Sequence, residues 1–91
     1  MTNLAGGENE RMACVRYWAG AREVAGTPEQ SLPASSLGEL LAAVRAVHGD
    51  PIARLIEVGI LLVDGERVLP GADQPLVDSS TVEILPPFAG G

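Results

Sequence analysis

The sequence predicts a single α+β domain in which a mixed sheet of about five strands packs on one main helix. Two observations predict this class. Five short runs are predicted as strands, and three of them, residues 12–18, 60–63 and 81–85, are rich in branched aliphatic or aromatic residues. One segment, residues 37–48, repeats apolar residues at the helical spacing. Because one amphipathic helix can cover one face of a small sheet, these elements suffice for one core, and 91 residues make one domain.

The first strand is predicted over residues 12–18, which are mostly apolar or strand-favouring. Alternation along a strand places Val15 and Tyr17 on one face. We expect Cys14 to be a small core residue, since free cysteine is among the most buried residue types. The character of the sequence changes over residues 19–26, which predict one helical turn closed by a glycine.

The main helix is predicted over residues 37–48 and follows a weak strand over 28–32, whose initial proline suits a sheet edge. Ser36 and Glu39 have the spacing of a capping box, which satisfies two free amides. Gly49 stands where a left-handed residue ends a helix. The apolar stripe expected to face the core contains Leu37, Leu40, Leu41, Val44 and Val47.

The second half of the chain predicts a short helix and three strands. Asp50 and Pro51 resemble an N-cap and its first-turn proline, and Asp64 followed by Gly65 is a strong signal for a two-residue hairpin. The predicted helix covers 50–56, and the predicted strands cover 60–63, 66–69 and 81–85. The prolines at 86–87 cannot donate ladder hydrogen bonds, so we expect the sheet to stop there and an extended arm to follow.

Composition excludes several function classes. A formal charge of −6, from twelve acidic residues and six basic residues that are all arginine, argues against nucleic acid and anionic membranes as partners. The same charge suits a partner with a basic docking face. One cysteine allows neither an internal disulfide nor an iron–sulfur cluster or four-cysteine metal site, and we expect no bound metal. With no apolar run long enough for a span and no visible signal peptide, we expect a cytoplasmic location.

The most informative segment is the last one, PPFAGG. Glycine has no Cβ, so a Gly-Gly end lets a backbone carboxylate pass through a narrow slot and approach catalytic groups closely. The segment therefore predicts a carrier whose chemistry takes place on the carboxyl group of Gly91. The competing interpretation is a frayed terminus without a role, since chain ends are commonly disordered.

Two segments resemble the small subunit of molybdopterin synthase and its sulfur-carrier relatives, which have the ubiquitin-like β-grasp fold. Residues 15–26, VRYWAGAREVAG, match the family's first strand and following turn, and residues 82–91, VEILPPFAGG, match its last strand and Gly-Gly end. The resemblance covers about residues 12–91. It implies a β-grasp domain over 12–87 and a flexible carrier tail over 88–91. The polar and aperiodic composition at the start of the chain separately predicts a flexible leader over 1–11, which is not expected of the family.

The resemblance also implies a reaction cycle, carried out by partners because the chain has no Gly-rich phosphate loop. An E1-like adenylating enzyme, using ATP and Mg²⁺, would convert the Gly91 carboxylate to an acyl-adenylate and then to a thiocarboxylate. A sulfur-accepting enzyme, above all the large subunit of molybdopterin synthase, would receive the sulfur. Gly90, Ala89, Phe88 and Pro87 would be recognised in the partners' channels, and Phe88 is bulkier than the small aliphatic residue expected there. The chain itself would bind no cofactor and have no independent active site.

Two alternatives remain open at the level of sequence. The carrier could supply thiamine, cysteine or natural-product biosynthesis. In a different class, the chain could be a ubiquitin-like protein modifier, joined through Gly91 to a target lysine, or a binding module that does not need the glycines. The only histidine, His48, is expected to complement the dipole at the end of the main helix and not to activate any serine.

Overall fold

The computed structural model describes residues 11–69 and 71–87. Within these ranges the chain forms five strands and three helices. They are β1 (Met12–Tyr17), α1 (Gly20–Ala25), β2 (Glu29–Pro33), α2 (Leu37–His48), α3 (Asp50–Val58), β3 (Ile60–Val63), β4 (Glu66–Val68) and β5 (Thr81–Leu85). The predicted bounds of α2, β3 and β5 are confirmed, whereas α3 extends two residues further than the sequence pattern indicated.

The strands form one sheet in the order β2-β1-β5-β3-β4. The first and last strands pair in parallel at its centre, and every other pair is antiparallel. β2 is an edge strand, as Pro28 indicated, and the hairpin between β3 and β4 turns at Asp64 and Gly65, both with positive φ. The mixed sheet with helices on one face is the predicted α+β class.

The core lies between the sheet and the helices. Alternate residues of the three inner strands turn one face toward α2 and α3. These side chains, all under 9% exposed, are Ala13, Val15, Tyr17, Leu61, Val63, Val82 and Ile84 from the sheet and Leu37, Leu40, Leu41, Val44, Ile52 and Ile56 from the helices. Since α3 contributes two fully or nearly buried isoleucines, two helices rather than one cover the sheet.

Three side chains depart from their predicted places. Val47 is 55% exposed: it lies at the edge of the stripe, about 70° around the helix from its centre, and in the last turn of α2. The half-buried His48 continues the stripe instead, and its Nε2 lies 2.7 Å from Oε1 of Gln30. Cys14 is half-buried on the sheet face opposite the core, because strand alternation separates it from Val15.

The helix ends also differ from the expected caps. Ser36 accepts from the Glu39 amide at 3.1 Å, as predicted, but the Glu39 carboxylate accepts from the amide and hydroxyl of Ser35 instead of closing a capping box on Ser36. Asp50, the predicted N-cap of α3, lies inside that helix, and Gly49 is the N-cap instead. Gly49 has φ 82° and ψ −160°, so it ends α2 with a positive φ but outside the left-handed helical region.

Candidate functional site

Four of the five predicted site residues, Phe88, Ala89, Gly90 and Gly91, lie outside the described residues. Pro87 is described and is exposed at the end of the last strand. The structure therefore shows the place where the predicted tail leaves the domain. We call residues 85–87 the tail root.

The tail root leaves from the central strand of the sheet. β5 is hydrogen-bonded along one edge to β1 and along the other to β3. Beyond the parallel ladder, the Trp18 amide donates to the carbonyl of Ile84 at 3.1 Å. Because a central strand is held on both sides, the start of the tail root is fixed relative to the whole domain.

Glycine residues flank the tail root on both sides. On one side, an ideal Cβ on Gly20 would lie 3.7 Å from Cγ of Pro86, which is an ordinary contact distance. On the other side, a Cβ on Gly59 would overlap the carbonyl oxygen of Leu85 and lie 2.6 Å from that of Leu55. Gly59 has φ −89°, which any residue can adopt, so the space beside Leu85 and not the backbone conformation requires glycine here. Sequence reasoning missed Gly59, and the only local signal was its position just before a buried strand.

The sheet face that points away from the helices carries a group of polar contacts beside the tail root. Trp18 Nε1 donates to Oε2 of Glu83 at 3.0 Å, which joins β5 to the residue after β1. The guanidinium of Arg16 lies 5.0 Å from the Trp18 ring centroid, in cation–π geometry. Arg16 also lies 3.7 Å from Glu29, an exposed pair that contributes little to stability. Trp18 is thus held in one orientation close to the site.

Three side chains that could act as a base or a nucleophile, those of His48, Tyr17 and Ser80, have structural partners. His48 and the Tyr17 hydroxyl both meet Oε1 of Gln30, at 2.7 and 2.6 Å, and the two rings pack edge to face with centroids 5.6 Å apart. Ser80 is the one buried polar residue among those described, apart from the tyrosine, and its hydroxyl accepts a hydrogen bond from the Val77 amide at 3.0 Å. Burial, and then the nearby carboxylate of Glu29, raise the pKa of the Cys14 thiol, so that it is a weak nucleophile at neutral pH.

Within residues 11–69 and 71–87, no three His, Cys, Asp or Glu side chains are grouped so that they could hold a metal ion. None of the three helices in the same ranges is long and apolar enough to cross a bilayer. Because β5 is held on both sides, the domain can present the segment that follows it at a fixed point.

Comparison with known proteins adds three results. The model of the ThiS family matches residues 15–91. The molybdopterin synthase sulfur carrier subunit of Chlamydomonas reinhardtii is 32% identical over 80 residues, which cover 85% of this chain and 95% of that protein. The solution structure of small archaeal modifier protein 1 from Methanosarcina acetivorans has a TM-score of 0.73 at 25% identity and covers 91% of this chain and 99% of its own.

A fourth comparison shows the fold alone. A protein–protein complex of subunits 1 and 2 of the molybdopterin-converting factor from Helicobacter pylori contains a chain that superposes with a TM-score of 0.65 at 21% identity. The match covers 88% of the present chain and 99% of that one. The ubiquitin-like β-grasp architecture expected from the sequence is confirmed by these structures.

Proposed function

The chain belongs to the ThiS family, and from that premise we propose that it carries sulfur on the carboxyl group of Gly91, for molybdopterin biosynthesis. One observation carries the proposal: the family match extends through residue 91 and so includes the whole PPFAGG segment. The relative from Chlamydomonas reinhardtii, named as a sulfur carrier subunit of molybdopterin synthase, supports the choice of pathway. The fixed tail root supports a carrier because it presents the segment at one defined point.

The proposed chemistry converts the carboxyl group of Gly91 in two stages, adenylation and then replacement of AMP by sulfur. A carboxylate is a poor electrophile, so an oxygen of Gly91 first attacks the α-phosphorus of ATP and pyrophosphate leaves. The sulfur of hydrosulfide then attacks the acyl carbon, and AMP leaves with the former carboxylate oxygen. If the donor is a persulfide, the first product is an acyl disulfide, and a thiol must reduce it. Either route leaves a thiocarboxylate whose sulfur is a soft nucleophile.

Two partners follow from this chemistry. An E1-like adenylating enzyme would supply the nucleotide site and Mg²⁺, and the large subunit of molybdopterin synthase would accept the sulfur. The net charge of −6 favours basic docking faces on both. Association with either should therefore slow as salt rises, since charges are screened over about 8–10 Å near physiological ionic strength. In keeping with such partners, we propose a cytoplasmic location.

The decisive test is intact mass spectrometry after incubation with a cognate adenylating enzyme, ATP and a sulfur donor. The expected product has one oxygen replaced by sulfur, located by fragmentation on Gly91. Deleting Gly91 should abolish the product, and Gly90→Val should impair it, because a β-branched side chain restricts and widens the backbone. Gly7→Val, in the other Gly-Gly pair of the sequence, is the matched control and should react normally.

A second candidate function is conjugation to other proteins. The similarity to small archaeal modifier protein 1, at 25% identity over most of both chains, favours it specifically. A modifier shares the acyl-adenylate but ends in an amide bond to a target lysine. If the ATP-dependent product is an adduct on lysines and no thiocarboxylate forms, conjugation replaces sulfur transfer. If the sulfur is found but molybdopterin synthase does not consume it, the carrier serves thiamine, cysteine or natural-product biosynthesis.

A further inference from the structure

A groove opens beside the tail root, between helices α1 and α3. Its volume is about 590 Å³, and its apolar walls are formed by Gly20 and Val24 of α1 and by Pro51 and Leu55 of α3. The charged residues Glu23, Asp50 and Arg54 also line it. Val24 is 40% exposed, and Leu55 packs only partly against the core. The groove therefore presents apolar surface to solvent, in a size range that accommodates ligand groups.

Both walls of the groove adjoin the point where the chain leaves the sheet. On the α1 side, the ring of Pro86 lies against Gly20. On the α3 side, the carbonyl oxygens of Leu55 and Leu85 both face the α-carbon of Gly59 and so lie close to one another. Gly20 and Leu55 thus line the groove and also lie close to residues 85–86, so the groove is next to the tail root.

The next side chain after the two prolines is Phe88, the only phenylalanine of the sequence. Two residues of extended chain separate it from Pro86 and span at most about 7 Å. Val24 follows Gly20 by one helical turn, about 6 Å along the axis of α1. A phenylalanine ring at position 88 can therefore reach the groove wall at Val24 without any change in the domain.

We propose that the Phe88 side chain binds in the groove between α1 and α3, so that the carrier segment docks on its own domain. The aromatic ring buries a large apolar area against matching surface, which favours the docked state. The short connection from Pro86 keeps the ring at a high effective concentration beside the groove. This inference goes beyond the proposed function, since it needs no activating enzyme and no sulfur.

Docking has a consequence for any partner that must draw Gly91 into a slot. The partner has to bind the undocked form, so its apparent affinity equals its affinity for that form multiplied by the undocked fraction. A small residue at position 88 would dock more weakly than phenylalanine, because it buries less apolar surface.

The first test is made on the full chain by NMR. Docking predicts nuclear Overhauser contacts between the Phe88 ring protons and the methyl groups of Val24 and Leu55. In Phe88→Ala, amide shifts should change in α1 and α3 as well as next to the substitution. Absence of those contacts, with shift changes confined to residues 86–91, would overturn the proposal. Contacts that strengthen with protein concentration would overturn it too, because they would show docking into a second copy.

The second test measures how fast chymotrypsin cleaves the bond between Phe88 and Ala89, followed by intact mass. Val24→Asp places a charge in the groove, and cleavage should become about three- to tenfold faster as the docked population falls. Val47→Asp is the matched control, because Val47 is also an exposed valine at the second-last position of its helix. Equal rates in the wild type and both variants would contradict docking. Because this readout needs no ATP, its failure is distinguishable from failure of the sulfur-carrier function.

Discussion

The α-carbon of Gly59 faces the carbonyl oxygen of Leu85 so closely that no side chain fits between them. This contact joins the end of α3 to the last residue of β5, immediately before the tail root. It lets the helix and the strand approach each other at the point where the predicted carrier segment begins. The close approach makes Gly59 a structural requirement of the site.

Gly59→Ala should therefore destabilise the domain. The added methyl group would overlap two backbone oxygens that cannot rotate away, and overpacking of this kind typically costs about 1–3 kcal/mol. Urea unfolding measures the effect. Gly20→Ala, on the other side of the tail root, is the matched control and should be neutral or stabilising, because its Cβ would be at an ordinary 3.7 Å from Pro86. Equal stability of the two variants would contradict the close contact at Gly59.

Helix α2 allows a direct test of which residues face the core. Leu40 is fully buried, and Leu40→Ala should cost about 2–5 kcal/mol in the free energy of unfolding. Val47→Ala, on the same helix but 55% exposed, should stay within about 0.5 kcal/mol of the wild type. A large effect at Val47 would indicate that this side chain faces the core, as the sequence predicted, and would contradict the observed orientation of α2.

The N-terminus of α2 is capped from a distant loop. Asp73 Oδ1 accepts from the Gly38 amide at 2.7 Å, and a Cβ on Gly38 would lie 3.1 Å from both carboxylate oxygens. Asp73→Ala should cost about 0.5–2 kcal/mol, as for loss of a side-chain cap. In the wild-type background, Gly38→Ala should gain little stability, because the new methyl group crowds the Asp73 carboxylate. In the Asp73→Ala background, the same substitution should gain most of the usual helix-propensity difference of about 1 kcal/mol. Additive effects in this double-mutant cycle would show that the two positions do not interact.

Stability on the acid side should depend on Glu39. Hydrogen bonds from the amide of Ser35 and then from its hydroxyl lower the pKa of the Glu39 carboxyl below 4.5. A folded-state pKa below the unfolded value stabilises the fold above the unfolded pKa, and this contribution is lost as pH falls through the folded pKa. The urea midpoint of wild type should exceed that of Glu39→Gln near neutrality, and the difference should shrink below pH 4.5. A difference that does not change with pH would contradict this assignment.

Stability on the alkaline side should depend on Tyr17. Burial raises the pKa of its hydroxyl to about 12, and the hydroxyl donates to Gln30. A raised folded-state pKa stabilises the fold fully below the unfolded value of 10.0, and the contribution disappears as pH rises toward 12. The sequence has one tyrosine, so phenolate absorbance follows the ionisation of Tyr17 alone. Ionisation near pH 10 in the folded protein, or the same alkaline stability profile for Tyr17→Phe, would contradict the prediction.

The sequence by itself determined the elements whose signals are local. Apolar periodicity predicted α2 within its observed bounds, the Asp64-Gly65 pair predicted the β3–β4 hairpin, and the prolines at 86–87 marked the end of β5. Strand alternation placed Val15 and Tyr17 on one face, which the structure buries. These signals are reliable because helices, turns and strand ends are decided by neighbours a few residues apart. The carrier segment was predicted from residue order alone, and both its role and its chemistry stay predictions.

Only the tertiary structure decided which distant residues meet. Trp18 and Glu83 are 65 positions apart, and parallel pairing of β1 with β5 brings them together beside the tail root. The requirement for Gly59, the cap that Asp73 gives to Gly38 and the groove between α1 and α3 all depend on how elements pack. No local pattern encodes them, because sequence periodicity shows which face of an element is apolar but not which element covers it.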